Sequence, residues 1–196
     1  TGDVIIKHPA TSSTGDPVFQ LANRNYIWIE GFTFKDSVYL GTCITMSGSQ
    51  NNVVFNNRFE NLGNREIESA NSIISIISSN QNVVCDNHFQ DIFGDAVGIS
   101  SSQFNLVSHN TFIRLKGKLR SWGGPYLFSC AVGIRTETYG YNVVAFNDSE
   151  DLSHNVWLDR NGSRNIILRN LGKSGSNNVF NESRCTANVV QENISV

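Results

Sequence analysis

The chain has 196 residues, of which 39% are hydrophobic and 16% are charged, and its formal net charge is −2. This length predicts a single domain over residues 1–196 with a sizeable core, and the regular recurrence of apolar residues excludes intrinsic disorder. The nearly neutral charge argues against a nucleic-acid partner, and no apolar run is long enough to span a membrane.

One short frame recurs along the whole chain. In its full form, over residues 82–89, an asparagine is followed by two apolar residues, a second asparagine at Asn87 and an aromatic residue at Phe89. A first copy begins at Asn25 and has Glu30 where the others have the second asparagine. Successive copies are separated by 27, 30, 23, 37, 23 and 23 residues, and this near-constant spacing indicates a solenoid. The lead asparagines are Asn25, Asn52, Asn82, Asn105, Asn142, Asn165 and Asn188.

Each repeat contains three short apolar runs that turn-forming residues separate. The first follows the lead asparagine, the second begins near the aromatic residue, and the third precedes the next repeat, as at residues 74–77, 97–100 and 132–135. Such runs are too short for helices. The sequence therefore predicts an all-β, right-handed parallel β-helix of about seven coils, in which the second asparagines stack and hydrogen-bond along the solenoid.

Two apolar residues follow every lead asparagine, although successive strand residues face opposite sides of a sheet. One of these two columns must therefore point outward or lie in a bend. We expect a terminal segment, a long loop or another subunit to cover such a stripe, which makes a homo-oligomer one candidate assembly. The first column comprises Tyr26, Val53, Val83, Leu106, Val143, Ile166 and Val189.

Insertions interrupt the spacing at about residues 63–72 and 117–130, and both follow the second strand of a coil. They are expected to project from the same side and to form a binding face, because insertions in repeat proteins usually do so. A solenoid also needs terminal caps, and none is evident here. We therefore expect the sequence to be an excerpt of a longer protein.

The asparagine frame resembles that of the right-handed parallel β-helix superfamily, which includes pectate lyases and other polysaccharide-acting proteins. Residues 25–34 are similar to an early coil of the alginate lyase and chondroitinase B family. Glu66 and Glu68 are similar to that family's calcium-binding Glu-x-Glu, so the resemblance implies Ca²⁺ as a candidate cofactor with these two metal ligands. The Ser-Asn-Lys-Ser and Leu-Arg-His-Gly elements that supply its catalytic residues are absent, so its chemistry is not carried over.

Stacking predicts which polar side chains approach one another on adjacent coils. Asp86 and His109 lie one 23-residue step apart, and a carboxylate beside a histidine orients the imidazole for proton transfer. Arg135 and Asp159 fall in one column of the third strand and should form an ion pair. His109 and Arg135 are therefore candidate catalytic residues, and Asp86 and Asp159 are candidates for substrate binding; two solvated pairs are the alternative.

The second insertion combines cations with aromatic rings, which suits an acidic sugar chain. Lys118 and Arg120 are the candidate catalytic residues of this segment. Its candidate substrate-binding residues, together with one from the first insertion, are Lys116, Trp122, Tyr126 and Arg65. The alternative is a solvated loop that the two aromatic side chains attach to the coil.

These features lead to two functional hypotheses. The first is binding of an extracellular acidic polysaccharide, extended to lyase-type cleavage by β-elimination, by a secreted or surface protein. The second is a non-catalytic structural or adhesive segment, as in a phage tailspike, an adhesin or a surface protein. The sequence by itself does not decide whether the protein is an enzyme.

Overall fold

The computed structural model describes residues 4–7, 17–37, 42–63, 72–116, 129–135, 140–159, 161–173, 177–181 and 184–196. All the elements in these ranges are β-strands, and they pair in three sheets whose strands run parallel. Each coil passes through the three sheets in turn before the next coil begins. In the described part of the chain, no helix is long and apolar enough to cross a membrane.

The first sheet holds the strands that follow the lead asparagines. Its seven strands are β3 (Trp28–Glu30), β6 (Val53–Phe55), β9 (Val83–Cys85), β12 (Leu106–Ser108), β15 (Val143–Ala145), β18 (Ile166–Leu168) and β21 (Val189–Gln191).

The second sheet follows after a tight bend. Its eight strands are β1 (Val4–Ile6), β4 (Phe32–Ser37), β7 (Arg58–Leu62), β10 (His88–Ile92), β13 (Thr111–Ile113), β16 (Asp148–Glu150), β19 (Leu171–Lys173) and β22 (Ile194–Ser195).

The third sheet closes each coil. Its seven strands are β2 (Phe19–Ala22), β5 (Ile44–Ser47), β8 (Ile74–Ile77), β11 (Val97–Ser100), β14 (Cys130–Arg135), β17 (His154–Asp159) and β20 (Asn177–Asn181). The predicted all-β parallel β-helix of about seven coils is therefore confirmed. Each predicted insertion follows a strand of the second sheet and precedes a strand of the third sheet. Most of the insertion residues, 64–71 and 117–128, lie outside the described part.

Two ladders of buried asparagines bind the coils together. In the ladder of second asparagines, each side-chain amide donates to the side-chain oxygen of the next, as from Asn87 to Asn110 at 3.1 Å and from Asn110 to Asn147 at 3.0 Å. The lead asparagines form a parallel ladder, for example from Asn82 to Asn105 at 3.1 Å. The same amides donate to bend carbonyls, so they satisfy backbone groups that the bends remove from water. The predicted asparagine ladder is confirmed.

The interior is filled by apolar columns that repeat from coil to coil. Four phenylalanines of the second sheet stack face to face, with ring centroids 4.7–5.0 Å apart. Ser149 and Gly172 take the same register position on the next two coils, so the aromatic stack ends there. The stacked residues are Phe34, Phe59, Phe89 and Phe112.

The first coil differs from the sequence prediction in its register. Trp28 pairs with Val53, and the Ile27 amide donates to Asn52 Oδ1 at 2.9 Å, so Ile27 occupies the lead position. Phe32, not Glu30, takes the place of the second asparagine. The alignment that began at Asn25 is therefore wrong by two residues.

One of the two apolar columns of the first sheet faces outward, as the sequence predicts. The second residue of each apolar pair is buried from Ile29 through Ile167, whereas the first is half-buried or exposed. Because of the register of the first coil, this outward column begins with Trp28, and Tyr26 lies in the preceding bend.

Candidate functional site

A shallow groove of about 180 Å³ lies on the third sheet. Gly98 forms part of it, and a Cβ there would lie 2.2 Å from the Ser72 hydroxyl oxygen, so a larger residue would displace the Ser72 side chain. Ser75 and Ser100 supply hydroxyl groups and Ile77 supplies an apolar wall. Arg135 completes the lining and is the only charged side chain among the described residues that line the groove.

Arg135 ends strand β14, in register with Ser100 on one neighbouring coil and Asp159 on the other. Its Nη2 donates to Asp95 Oδ2 at 2.8 Å, and its Nε lies 3.9 Å from Asp159 Oδ2. The guanidinium also lies 4.8 Å from the centre of the Trp157 ring. These contacts fix the guanidinium while its side chain stays 27% exposed. The predicted ion pair with Asp159 is confirmed, and Asp95 is the nearer partner.

Asp95 is a candidate site residue that the sequence analysis missed. It lies in the short connection between β10 and β11, on the one regular coil between the two insertions. Its Oδ1 accepts from the Cys130 amide at 3.1 Å, and its carboxylate is almost fully buried. The Ile73 amide donates a hydrogen bond to the Asp95 carbonyl, and the Ala96 amide donates to the Cys130 carbonyl. Residues that border the two insertions therefore lie directly against this connection. The only sequence signal was an aspartate before a buried apolar strand.

His154 lies beside this cluster, because Cys130 and His154 are register partners in adjacent strands. Burial lowers the pKa of the His154 imidazole below its ordinary value of 6.5, and the nearby Asp95 carboxylate opposes this shift only in part. The folded protein therefore holds a neutral imidazole next to a carboxylate–guanidinium pair.

We expect the stability of the protein to fall as the pH drops below about 6.5, through the titration of His154. A lowered pKa in the folded state means that unfolding takes up a proton in this range, so the free energy of unfolding decreases toward the folded-state pKa. Above pH 6.5 both states are neutral at this residue and its contribution is complete. Urea unfolding measured between pH 4.5 and 7.5 should show that the free energy of unfolding changes less with pH in His154→Gln than in the wild type. His109→Gln, at an exposed histidine, is the control. If the free energy of unfolding of His154→Gln depended on pH as steeply as that of the wild type, His154 would not be the titrating group.

The other predicted pair, Asp86 and His109, lies in the bend between the first and second sheets. Both residues have a positive φ, of 55° and 56°, and stack in one column as predicted. They form no hydrogen bond or ion pair with each other in this described bend. The His109 ring stacks on Phe146 instead, with centroids 5.2 Å apart, so this column is separate from the Arg135 groove.

Lys116 lies on the second-sheet side of the second insertion. Its Nζ is 3.3 Å from Asp91 Oδ1 and 5.2 Å from the centre of the Phe93 ring. Arg114 binds the same carboxylate at 2.8 Å, and this guanidinium holds the Asp91 pKa well below its usual range. Lys116 is therefore part of a surface ion-pair network.

The remaining predicted site residues lie outside the described residues. This applies to Lys118, Arg120, Trp122, Tyr126 and Arg65, and to the proposed calcium ligands Glu66 and Glu68. Within the ranges that the structure describes, no group of three His, Cys, Asp or Glu side chains is placed to hold a metal ion. The calcium assignment therefore stays a prediction from resemblance.

Comparison with solved structures gives a match to the mutant tailspike protein of the E. coli bacteriophage HK620 in complex with a pentasaccharide. The two share 12% sequence identity at a TM-score of 0.42. The match covers 98% of this chain and 47% of the tailspike chain, so this chain spans about half of that protein's length. The search of curated proteins gave no match.

Comparison with family models identifies the family of this chain. The model described as the right-handed beta helix region matches residues 2–125, which is more than half of the chain. The matched span includes the phenylalanine stack and the first part of each asparagine ladder. This chain therefore belongs to the right-handed β-helix family.

Proposed function

We propose that this protein binds an extracellular polysaccharide in the groove of the third sheet. The observation that carries the proposal is Arg135, whose partly exposed guanidinium is held by Asp95 and Trp157 at one end of a concave surface. A guanidinium presents planar donors to hydroxyl and carboxylate oxygens, and its fixed position reduces the entropy lost on binding.

The dimensions of the groove support a chain-like ligand. Its volume of about 180 Å³ is smaller than the roughly 300–1,000 Å³ of typical pockets that enclose a whole ligand. A polymer could therefore place one sugar unit in the groove while its neighbours extend along the solenoid. Ser75 and Ser100 offer hydroxyl partners, and Ile77 offers a contact for an apolar sugar face.

The charge of the groove sets the choice between acidic and neutral sugars. Arg135 favours a carboxylate, as expected from the sequence, whereas Asp95 and Asp159 offset part of that charge. We propose an acidic polysaccharide as the preferred ligand. A neutral polymer of equal length is the appropriate comparison, because it keeps the hydroxyl groups and removes the carboxylates.

Lyase-type cleavage is the catalytic extension of this proposal. β-Elimination needs a cation to neutralise the uronate carboxylate and a base to remove the adjacent proton. Arg135 is suited to the first role, and Lys118 and Arg120 in the adjoining insertion are our candidates for the second. Release of unsaturated products that absorb ultraviolet light is the direct assay, and its absence with a polymer that binds would reject cleavage and retain binding.

The binding proposal is tested by filling the groove. Ser100→Phe is expected to weaken binding of the preferred uronate oligosaccharide at least about tenfold in calorimetry, because a ring there occupies the space beside Arg135. Arg135→Lys keeps the charge next to Asp95 but loses the planar donor geometry, so it should also weaken binding. Thr111→Phe is the matched control, since Thr111 is half-buried on the outer face of the second sheet. Equal weakening by Thr111→Phe, or no binding across a panel of acidic and neutral polymers, would reject the groove.

The second candidate is a non-catalytic structural or adhesive role at the cell or particle surface. The observation that favours it is the continuous apolar outer face of the first sheet, which an enzyme site does not require. A chain that binds no polymer in the panel but remains folded would support this role.

A further inference from the structure

Asp95 connects the groove of the third sheet to a buried histidine. One oxygen of its carboxylate accepts from Arg135 Nη2 at 2.8 Å, and the other accepts from the Cys130 amide at 3.1 Å. Cys130 is the register partner of His154 on the next coil, and the His154 amide donates to the Ser129 carbonyl at 3.1 Å. The path from the groove to His154 therefore consists of one ion pair, one hydrogen bond and one pair of adjacent strands.

The Arg135 side chain turns back along its own strand. Arg135 lies five residues after Cys130, yet the Asp95 carboxylate binds both. Gly133 lies between them, and a Cβ there would be 3.3 Å from Cys130 Sγ and 4.0 Å from Asp95 Oδ2. A ligand on the guanidinium would therefore lie near the beginning of β14, which is the part of the strand that pairs with His154.

Charged groups around His154 are few in the part of the chain that the structure describes. Asp95 is the carboxylate that affects its pKa. Strand β20, on the other side of β17, contains no charged residue within Asn177–Asn181. Lys116 pairs with Asp91, and Asp159 lies beside Arg135, which leaves Asp95 as the link between His154 and the groove. The titratable residues on β14, β17 and the adjoining described segments are Asp95, Lys116, Cys130, Arg135, Asp151 and Asp159.

The protonation of His154 depends on the charge of this cluster. The residue is 8% exposed, and burial holds its pKa below 6.5, while the Asp95 carboxylate opposes part of that effect. A buried imidazolium needs a compensating negative charge. A sugar carboxylate bound to Arg135 adds one negative charge to the cluster and takes up part of the attraction of the guanidinium for Asp95. Both effects favour the protonated imidazole.

We propose that uronate binding at Arg135 is coupled to protonation of His154, so that the bound carboxylate and the proton each favour the other. The coupling rests on the proposed function, because it requires an anionic sugar in the groove. Linkage makes it reciprocal, so the ligand promotes proton uptake and acidification strengthens binding. We expect the affinity for a uronate oligosaccharide to rise about threefold as the pH falls from 7.5 to 5, the order expected for two unit charges that solvent partly screens.

Calorimetric titration in buffers of different ionisation enthalpy measures the proton uptake. The probe is the uronate oligosaccharide that binds most tightly, and its binding between pH 5 and 7 should take up roughly 0.3 proton at most, as a threefold coupling predicts. His154→Gln should lose this uptake, with thermal unfolding confirming that the variant is folded. His109→Gln is the matched control and should keep the uptake, because its ring position stacks on Phe146 away from the groove. A neutral oligosaccharide of equal length should take up no proton.

An NMR titration of the His154 ring in the wild type tests the same coupling without a substitution. Saturation with the uronate oligosaccharide should raise the His154 pKa by about 0.5, and the neutral oligosaccharide should leave it unchanged. Uronate binding without a rise in the His154 pKa would overturn the coupling and leave the proposed function standing. Absence of any uronate binding would overturn both.

Discussion

Phe89→Ala is expected to lower the free energy of unfolding by about 3–5 kcal/mol, the range for removing a fully buried aromatic side chain. Phe89 is inaccessible to solvent and lies between two stacked rings, 4.7 Å from Phe59 and 5.0 Å from Phe112. The substitution leaves a cavity in the middle of this column. Backbone ladders above and below hold the neighbouring coils at a fixed spacing, so the column cannot collapse to fill it.

Urea unfolding at a fixed protein concentration measures this effect. Phe93→Ala is the matched control, because Phe93 lies on the same coil but is half-buried. It should lose only about 1 kcal/mol, since less apolar surface leaves water there on folding. Equal losses for the two variants would contradict the stacked column as a main source of stability. Phe89→Leu should fall between wild type and Phe89→Ala.

Asn110→Ala is expected to reduce the free energy of unfolding by about 4 kcal/mol, because it leaves several buried polar groups without partners at about 1–3 kcal/mol each. Asn110 Oδ1 accepts from the Asn87 amide and side chain at 3.0 and 3.1 Å. Its Nδ2 donates to the carbonyls of Val84 and Ser108 and to Asn147 Oδ1, all at 3.0 Å. Alanine replaces none of these bonds, and water does not reach the site.

Asn193→Ala is the control for this ladder. Asn193 makes the same kinds of bond but is half-exposed, so water can replace the lost partners. We expect a loss of about 1 kcal/mol or less there, within the range for a single solvent-accessible hydrogen bond. If Asn193→Ala were as damaging as Asn110→Ala in the same unfolding experiment, burial of the ladder would not be the cause.

The sequence predicted the contacts that follow directly from the repeat. Because the strands are parallel and in register, residues at equivalent positions in successive repeats become neighbours. That rule correctly placed Arg135 beside Ser100 and Asp159, and it predicted the asparagine ladder. It failed in the first coil because Asn25 imitates a lead asparagine, whereas Ile27 holds that position in the register.

The repeat did not predict contacts made in the bends and between sheets. Asp95 reaches Arg135 from a connection rather than from a strand, and nothing in the frame relates the two. Asp86 and His109 occupy equivalent positions, yet side-chain direction in the bend placed His109 on Phe146. Equivalent positions determine which backbones are adjacent, but rotamers and packing determine which side chains touch.

The sequence by itself determined the parallel β-helix, its seven coils and an outward apolar column, because all three follow from the spacing and polarity of one repeated frame. Only the tertiary structure decided that the groove contains a guanidinium held by a buried carboxylate, and that the His109 ring stacks on Phe146. The physical reason is that a solenoid fixes its backbone through short-range, repeated hydrogen bonds. Its surfaces instead depend on non-repeated side chains that different bends and strands bring together.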